Sequence, residues 1–201
     1  MKYTVDQILA AMERHEYRVF TGEWNVNLLG VRTAEKKANT FNDYICVLFQ
    51  HLGRWEIFAF PGTTDPGLFY RQNPLNERGT AVVAPGQHRR CWTFGKHRGR
   101  YEALVQRGPM SVYRDNNHDD VIDTTGPDGP LALDTGLHGI NLHRARVNGQ
   151  SFEIGKWSAG CQVIRAPWDY DLYMAICRRA AVDWGPWFSY TLLDEAALAK
   201  P

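Results

Sequence analysis

Residues 138–164 read HGINLHRARVNGQSFEIGKWSAGCQVI, and this stretch holds the residue types that could do chemistry. Cys161 follows Ser158, Ala159 and Gly160, and His143 lies eighteen residues upstream of it. A thiol becomes a nucleophile when an imidazole takes its proton and holds the thiolate. Attack on a carbonyl also needs backbone N–H groups for the oxyanion. Gly160 supplies a small residue where the backbone must approach a substrate carbonyl, and Gly149 and Gly155 let the intervening loop turn. The candidate catalytic set is therefore Cys161, His143, Gly160 and Ser158, and the chemistry is acyl transfer. His138 is the rival base. On one strand two residues five apart face opposite sides, so only one of His138 and His143 meets Cys161 unless a bulge intervenes. The other would line a groove. Trp157 is a second groove residue. Arg144 and Arg165 carry planar forks that suit a substrate carboxylate, with solvated surface arginines as the plainer reading.

A second constellation is Asp115, Asn117, Asp119 and Asp123. Alternating oxygen ligands closed by a later carboxylate are the pattern of a calcium loop. The sixth-position Gly and twelfth-position Glu of an EF-hand are missing, and a solvated acidic loop with Asx turns fits the same residues. A carboxylate here, or Asp134, could instead serve as general acid for glycan cleavage if a second carboxylate lies opposite. Tyr70, Trp92, His97, Trp157 and Trp168 are groove or core aromatics. Lys156 is either a surface charge or a cation that lowers the thiol pKa.

The His143–Cys161 segment resembles the L,D-transpeptidase (YkuD-type) catalytic domain, whose signature is a histidine, a loop and Ser/Thr-His-Gly-Cys. Ser158, Gly160 and Cys161 match the second half, and the eighteen-residue spacing selects His143 as the base. Ala159 stands where the family has His, and Gln162–Val163 replace a hydrophobic residue and Asn or Arg. The resemblance implies a peptidoglycan-active cysteine enzyme that cleaves or exchanges stem-peptide amides through a Cys161 acyl-enzyme. The departures bear on transpeptidation more than on thiol chemistry. GINLHRA and KWSAGCQV also resemble phage and prophage proteins, which implies an endolysin-like role. A glycan-cleaving hydrolase on the same fold, and a non-catalytic wall-binding or virion module, are the alternatives. No cofactor is required by this chemistry, with Ca²⁺ at residues 115–123 the one cofactor reading.

The elements that would position these groups follow from periodicity. Residues 4–16 carry an N-cap in Thr4 and apolar Val5, Ile8, Leu9 and Met12 at helical spacing. Residues 167–182 begin with Pro167 and predict a second helix. Strands are expected over 25–32, 43–49, 54–60, 80–83, 91–95, 101–106, 110–113, 138–143, 161–164 and 187–193. Residues 50–53 would make the second and third a hairpin. Residues 61–67 and 84–87 are turn clusters, and 33–42, 114–136 and 144–157 are loops. The fold class is mainly β with flanking helices, an L,D-transpeptidase-like sandwich or barrel. One domain is expected over 1–201, with 1–24 as N-terminal helix and lead-in and 25–193 as catalytic body.

Bulk composition narrows the partners. Net charge is +1, which offers no electrostatic footprint for nucleic acid. No stretch of about 18 apolar residues could span a membrane, and the N-terminus lacks the apolar run of a signal peptide. The chain is thus expected to be made in the cytosol and to reach the bacterial cell wall by release or export. The four cysteines fit no zinc spacing, and Cys46 and Cys177 lie in apolar-periodic segments that predict core positions.

Overall fold

The computed structural model describes residues 2–35, 39–126 and 129–199. Residues 36–38 of the expected 33–42 loop, residues 127–128 of the expected 114–136 loop, and residues 1, 200 and 201 of the expected domain lie outside them. Among the described residues the fold is a mixed α/β arrangement around a closed eight-stranded barrel, with three α-helices.

Helix α1 (Val5–Arg14) starts with a capping box, in which the Thr4 hydroxyl accepts from the Gln7 N–H and the Gln7 side chain accepts from the Thr4 N–H. Strand β1 (Asn27–Arg32) follows, then β2 (Asp43–His51) and β3 (Arg54–Thr63). The β2–β3 turn is Leu52–Gly53, both with positive φ, the geometry that matches strand twist in a two-residue hairpin. Helix α2 (Leu68–Gln72) and strand β4 (Thr80–Val83) come next. Strands β5 (Gly86–His97) and β6 (Tyr101–Gln106) form a second hairpin, and β7 (Met110–Asp115) leads into short β8 (Thr125–Gly126), β9 (Gly129–Pro130) and β10 (Asp134–Gly136). Strands β11 (Leu142–Arg144) and β12 (Gln162–Ile164), helix α3 (Pro167–Trp184), strand β13 (Trp187–Asp194) and a 3₁₀ turn (Glu195–Leu198) complete the order.

The barrel runs β1-β13-β5-β6-β11-β12-β3-β2, while β10-β7-β4 form a separate flanking sheet. Interior residues come from every barrel strand, among them Leu28, Val47, Phe60, Trp92, Leu104, Leu142, Ile164 and Tyr190. Helix α3 adds Tyr173, Met174 and Cys177 to this core. The opposite face of β1 and β2 (Leu29, Val31, Cys46, Leu48) is covered by Ile8, Ala11 and Met12 of α1. Both sides of β1 are therefore buried, which is why NLLGVR lacks alternation. Cys46 and Cys177 are buried as expected, and Cys91 joins them.

The structure corrects several expectations. Helix α2 lies inside a stretch expected to hold only the β4 strand. It has five residues and no side-chain cap, too short for a periodic signal. The strand expected at 91–95 begins at Gly86. The strand expected over 138–143 is reduced to Leu142–Arg144. There the main-chain N–H groups of His138 and Ile140 both donate to the Gln106 side-chain oxygen (2.9 Å each), so a side chain takes the place of a ladder. Gly139, at φ 73°, turns the chain between them. No helix among the described residues is long and apolar enough to cross a membrane.

Candidate active site

Strands β11 and β12 run parallel, with Leu142 opposite Gln162 and His143 opposite Val163. The Gln162 N–H donates to the Asn141 carbonyl (2.9 Å), which extends the pairing to Asn141 and Cys161. Alternation then sorts the side chains. Leu142 and Ile164 enter the interior core, and Val163 and Cys161 join a small outer cluster with Phe41, Ala145 and Ile154. Cys161 and His143 thus share the outer face of adjacent strands, offset by two residues, a diagonal of about 8 Å between β-carbons from strand spacing and rise.

Cys161 is partly buried at a cleft of about 630 Å³. Its sulfur accepts the Asn141 N–H (3.4 Å) and donates to the Gly139 carbonyl (3.6 Å). Burial pushes the thiol pKa up, and the Asn141 N–H and Arg98 pull it part of the way back. His143 is 2% exposed. Its Nδ1 lies 2.8 Å from the Arg144 carbonyl, an atom that can only accept, so Nδ1 carries the proton. Its Nε2 is buried and has no hydrogen-bond partner. Burial, then the adjacent His97, push His143 down to about 3, against the Arg144 carbonyl that Nδ1 meets; the Trp157 carbonyl lies near the ring without a hydrogen bond to Nε2. The resting pair at neutral pH is a thiol and a neutral imidazole whose free lone pair is on Nε2. The Tyr101 hydroxyl donates to the same Arg144 carbonyl (3.2 Å) and steadies that acceptor.

The turn before Cys161 is clamped by its own residues. The Ser158 hydroxyl donates to the Cys161 carbonyl (2.8 Å) and accepts the Gly160 N–H (3.1 Å), and Ser158 is fully buried. Of the backbone N–H groups near Gly160 and Cys161, the Gly160 donor is therefore already engaged. Ser158 shapes the turn and lies beneath the reacting surface. Gln162 reaches from below, donating to the Gly160 carbonyl (3.2 Å) and to the Thr64 carbonyl (3.3 Å), and it accepts the Tyr190 hydroxyl (2.6 Å). Gly160 itself has φ 121°, and a β-carbon there would stand 2.6 Å from the Ala81 carbonyl oxygen of β4. Gly160→Ala is therefore expected to cost about 1–3 kcal/mol, read as a lower urea midpoint, and to slow alkylation of Cys161.

Of the residues expected to bind substrate, His138 and Trp157 line the cleft, whereas Arg144 and Arg165 do not. The Arg144 guanidinium lies 4.2 Å over the Tyr101 ring, and the main-chain N–H of Arg165 donates to the Pro61 carbonyl (3.0 Å). His138 is held between Arg114 (3.1 Å) and the Asp134 carbonyl (3.0 Å). The cleft's cations are Arg78, Arg98 and Arg114, brought from three separate segments, and Asp134 is its one carboxylate among the described residues. Asp134 pairs with Arg78 (2.8 Å) and Arg114 (2.9 Å), which hold its pKa below the usual range. Lys156 sits 4.0 Å over Phe69, and Trp92 is a core residue whose indole N–H donates to the Ile140 carbonyl (2.8 Å).

The residues proposed for calcium are otherwise occupied. Asp115 is buried against Arg71 (2.9 Å), and the Asn117 amide donates to Asp119 and Asp123 (2.8 and 2.6 Å). Among the described residues, no group of three or more His, Cys, Asp or Glu is placed to hold a metal ion. Sequence reading missed Gln106, whose amide also donates to the Gly108 and Gly136 carbonyls and so shapes the whole approach to His143. It likewise missed Asn141, which touches the sulfur through its main chain. Compared with protein-family models, with curated proteins and with solved structures, the chain matches none.

Proposed function

We propose that this protein is a peptidoglycan-active cysteine enzyme that cleaves or exchanges stem-peptide amide bonds. The observation that carries the reading is the state of His143: Nδ1 fixed on a main-chain carbonyl, Nε2 buried and unpartnered, on the same barrel face as a cleft-side thiol. That is an oriented general base awaiting a proton. Rotation about the Cys161 Cα–Cβ bond swings the thiol from the Gly139 carbonyl toward Nε2. The sulfur attacks the amide carbonyl as its proton passes to His143, which then protonates the leaving amine. The Cys161 N–H, which makes no hydrogen bond among the described residues, is the nearest donor for the oxyanion. Water or an amine then takes the acyl group from sulfur.

The substrate class rests on the likeness of the His143–Cys161 stretch to L,D-transpeptidase domains. The cleft charge agrees, since stem peptides carry free carboxylates and Arg78, Arg98 and Arg114 outnumber Asp134. Glycan cleavage by paired carboxylates is not favoured, because among the described residues Asp134 has no second carboxylate beside it in the cleft, and it is held ionised. Mass spectrometry of purified peptidoglycan after incubation tests the assignment. Shortened or exchanged stem peptides are expected, and new glycan ends with intact stems would overturn it.

A further inference from the structure

The chain lacks the histidine that the Ser158–Cys161 motif would carry at position 159, yet a second imidazole reaches the site from another element. His97, the last residue of β5, lies on His143 with ring centroids 3.9 Å apart and planes 25° apart. Its Nδ1 accepts the Asn141 side-chain amide (3.2 Å). The amide orientation is fixed, because the Asn141 side-chain oxygen accepts the Gln106 N–H (2.9 Å). Asn141 is also the residue whose main-chain N–H meets the Cys161 sulfur and whose carbonyl accepts the Gln162 N–H. One side chain thus touches both halves of the pair: His143 by stacking, Cys161 through Asn141.

We propose that His97 is a positioning residue for the Cys161–His143 pair, covering one face of the base and holding the main chain that meets the sulfur. This inference rests on the acyl-transfer reading of the same site. Two consequences follow from the geometry. First, two imidazoles in contact resist carrying two charges, so His97 helps keep His143 neutral with Nε2 free. Second, the stack excludes water from the base while leaving His97 itself at the cleft wall. Two other charged or titratable groups act on the rings: Arg98 from the β5–β6 turn, and Tyr101 from β6, whose hydroxyl lies 3.4 Å from His143 Nδ1 and whose ring meets His97; Arg144 and Tyr170 lie behind Tyr101. Arg98 adds to the bias against a protonated ring, and Tyr101 is neutral in the working range. Burial and Arg98 push His97 itself down to about 4.

The experiment is an imidazole ¹⁵N titration of His143 by NMR, together with the iodoacetamide alkylation rate of Cys161 at pH 7. It is run on wild type, His97→Ala, His97→Phe and His143→Ala. In the wild type His143 should stay neutral, protonated on Nδ1, down to about pH 4. His97→Ala admits water and removes the like charge, so the His143 midpoint should rise by about one pH unit or more, and Cys161 alkylation should slow several-fold. His97→Phe keeps the covering ring and should restore most of the low midpoint, while the alkylation defect persists because Asn141 has lost its acceptor. A His143 midpoint and an alkylation rate unchanged in His97→Ala would overturn the inference, provided that His143→Ala slows alkylation. If His143→Ala leaves alkylation unchanged as well, the Cys–His pairing itself fails. Thermal melting of His97→Phe shows whether the alanine result reflects the site or lost folding.

Discussion

Cys161→Ala should abolish stem-peptide turnover, with the rate falling by at least about 10³-fold, while the barrel stays folded. The two halves of this expectation have separate causes. Without sulfur there is no acyl-enzyme, and the neutral His143 is left to activate water at a position built for a thiol. The sulfur's own contacts are weak, at 3.4 and 3.6 Å, and Cys161 packs on the margin of a small cluster, so stability should change by no more than about 1 kcal/mol. The wild-type pH profile has a definite shape. His143 is held far below its ordinary pKa, so the acid limb lies well under neutrality. The thiol is held up, so the alkaline rise comes late. Rate should therefore be nearly flat across neutral pH and climb in alkali. Product formation followed by chromatography and mass spectrometry gives both quantities. Turnover by Cys161→Ala within tenfold of wild type would defeat the nucleophile assignment.

Arg32→Met should be the most destabilising of the changes considered, by about 3–5 kcal/mol at pH 7. Arg32 is buried on β1, where its Nε meets Asp65 at 2.8 Å and its other donors reach Thr64 and the Val83 carbonyl. Asp43 lies in the same network, accepting from Thr33 and Thr64. Methionine leaves two buried carboxylates with no cation between them. The pH dependence has a clear sign. Asp43 already has a folded pKa raised above its unfolded value, by burial and by Asp65. A raised carboxylate binds its proton more tightly in the folded state, so its contribution to stability is largest in acid and is lost as pH rises through the folded pKa. Removing Arg32 strengthens this effect, so the gap between variant and wild type should narrow from pH 7 to pH 5. Urea unfolding at the two pH values measures it, and an equal gap at both would show that the buried carboxylates are not the cause. Because the Thr64 carbonyl also receives Gln162, the loss should be felt at the turn that carries Cys161.

Much of the scaffold could be read from local pattern. The Thr4 N-cap, Pro167 at the head of α3 and the hairpin of β2 and β3 each act over a few residues and survive in the fold. The candidate pair was also legible as such, since a cysteine after a small-residue turn and a histidine upstream are visible as types and spacing, and the fold sets both on one face of adjacent strands. What pattern could not show is long-range. Gln106 replaces a strand ladder with one side chain, and only the fold brings it to His138 and Ile140. The cleft arginines are 78, 98 and 114, whereas the motif's neighbours, 144 and 165, lie outside its lining. Glycine at 160 suggests an open backbone, yet its N–H is not free. A serine two residues earlier had already taken it. The start of β5 was hidden because Gly86–Arg90 is polar and turn-like, yet it pairs with β13.

The place of β13 in the barrel has a consequence for how the chain is made. It sits between β1 and β5, parallel to the former and antiparallel to the latter. The wall cannot close until residue 194 is available. During synthesis β1 and β5 each present a bare edge for as long as the ribosome takes to add about 90 further residues after β5, several seconds or more at ordinary elongation rates. The β11–β12 seam that carries His143 is also short, three residues a side, and is bridged to β6 by a single paired residue, Leu142 with Leu104. The wall that carries the candidate thiol and base is thus complete only once β13 docks between β1 and β5.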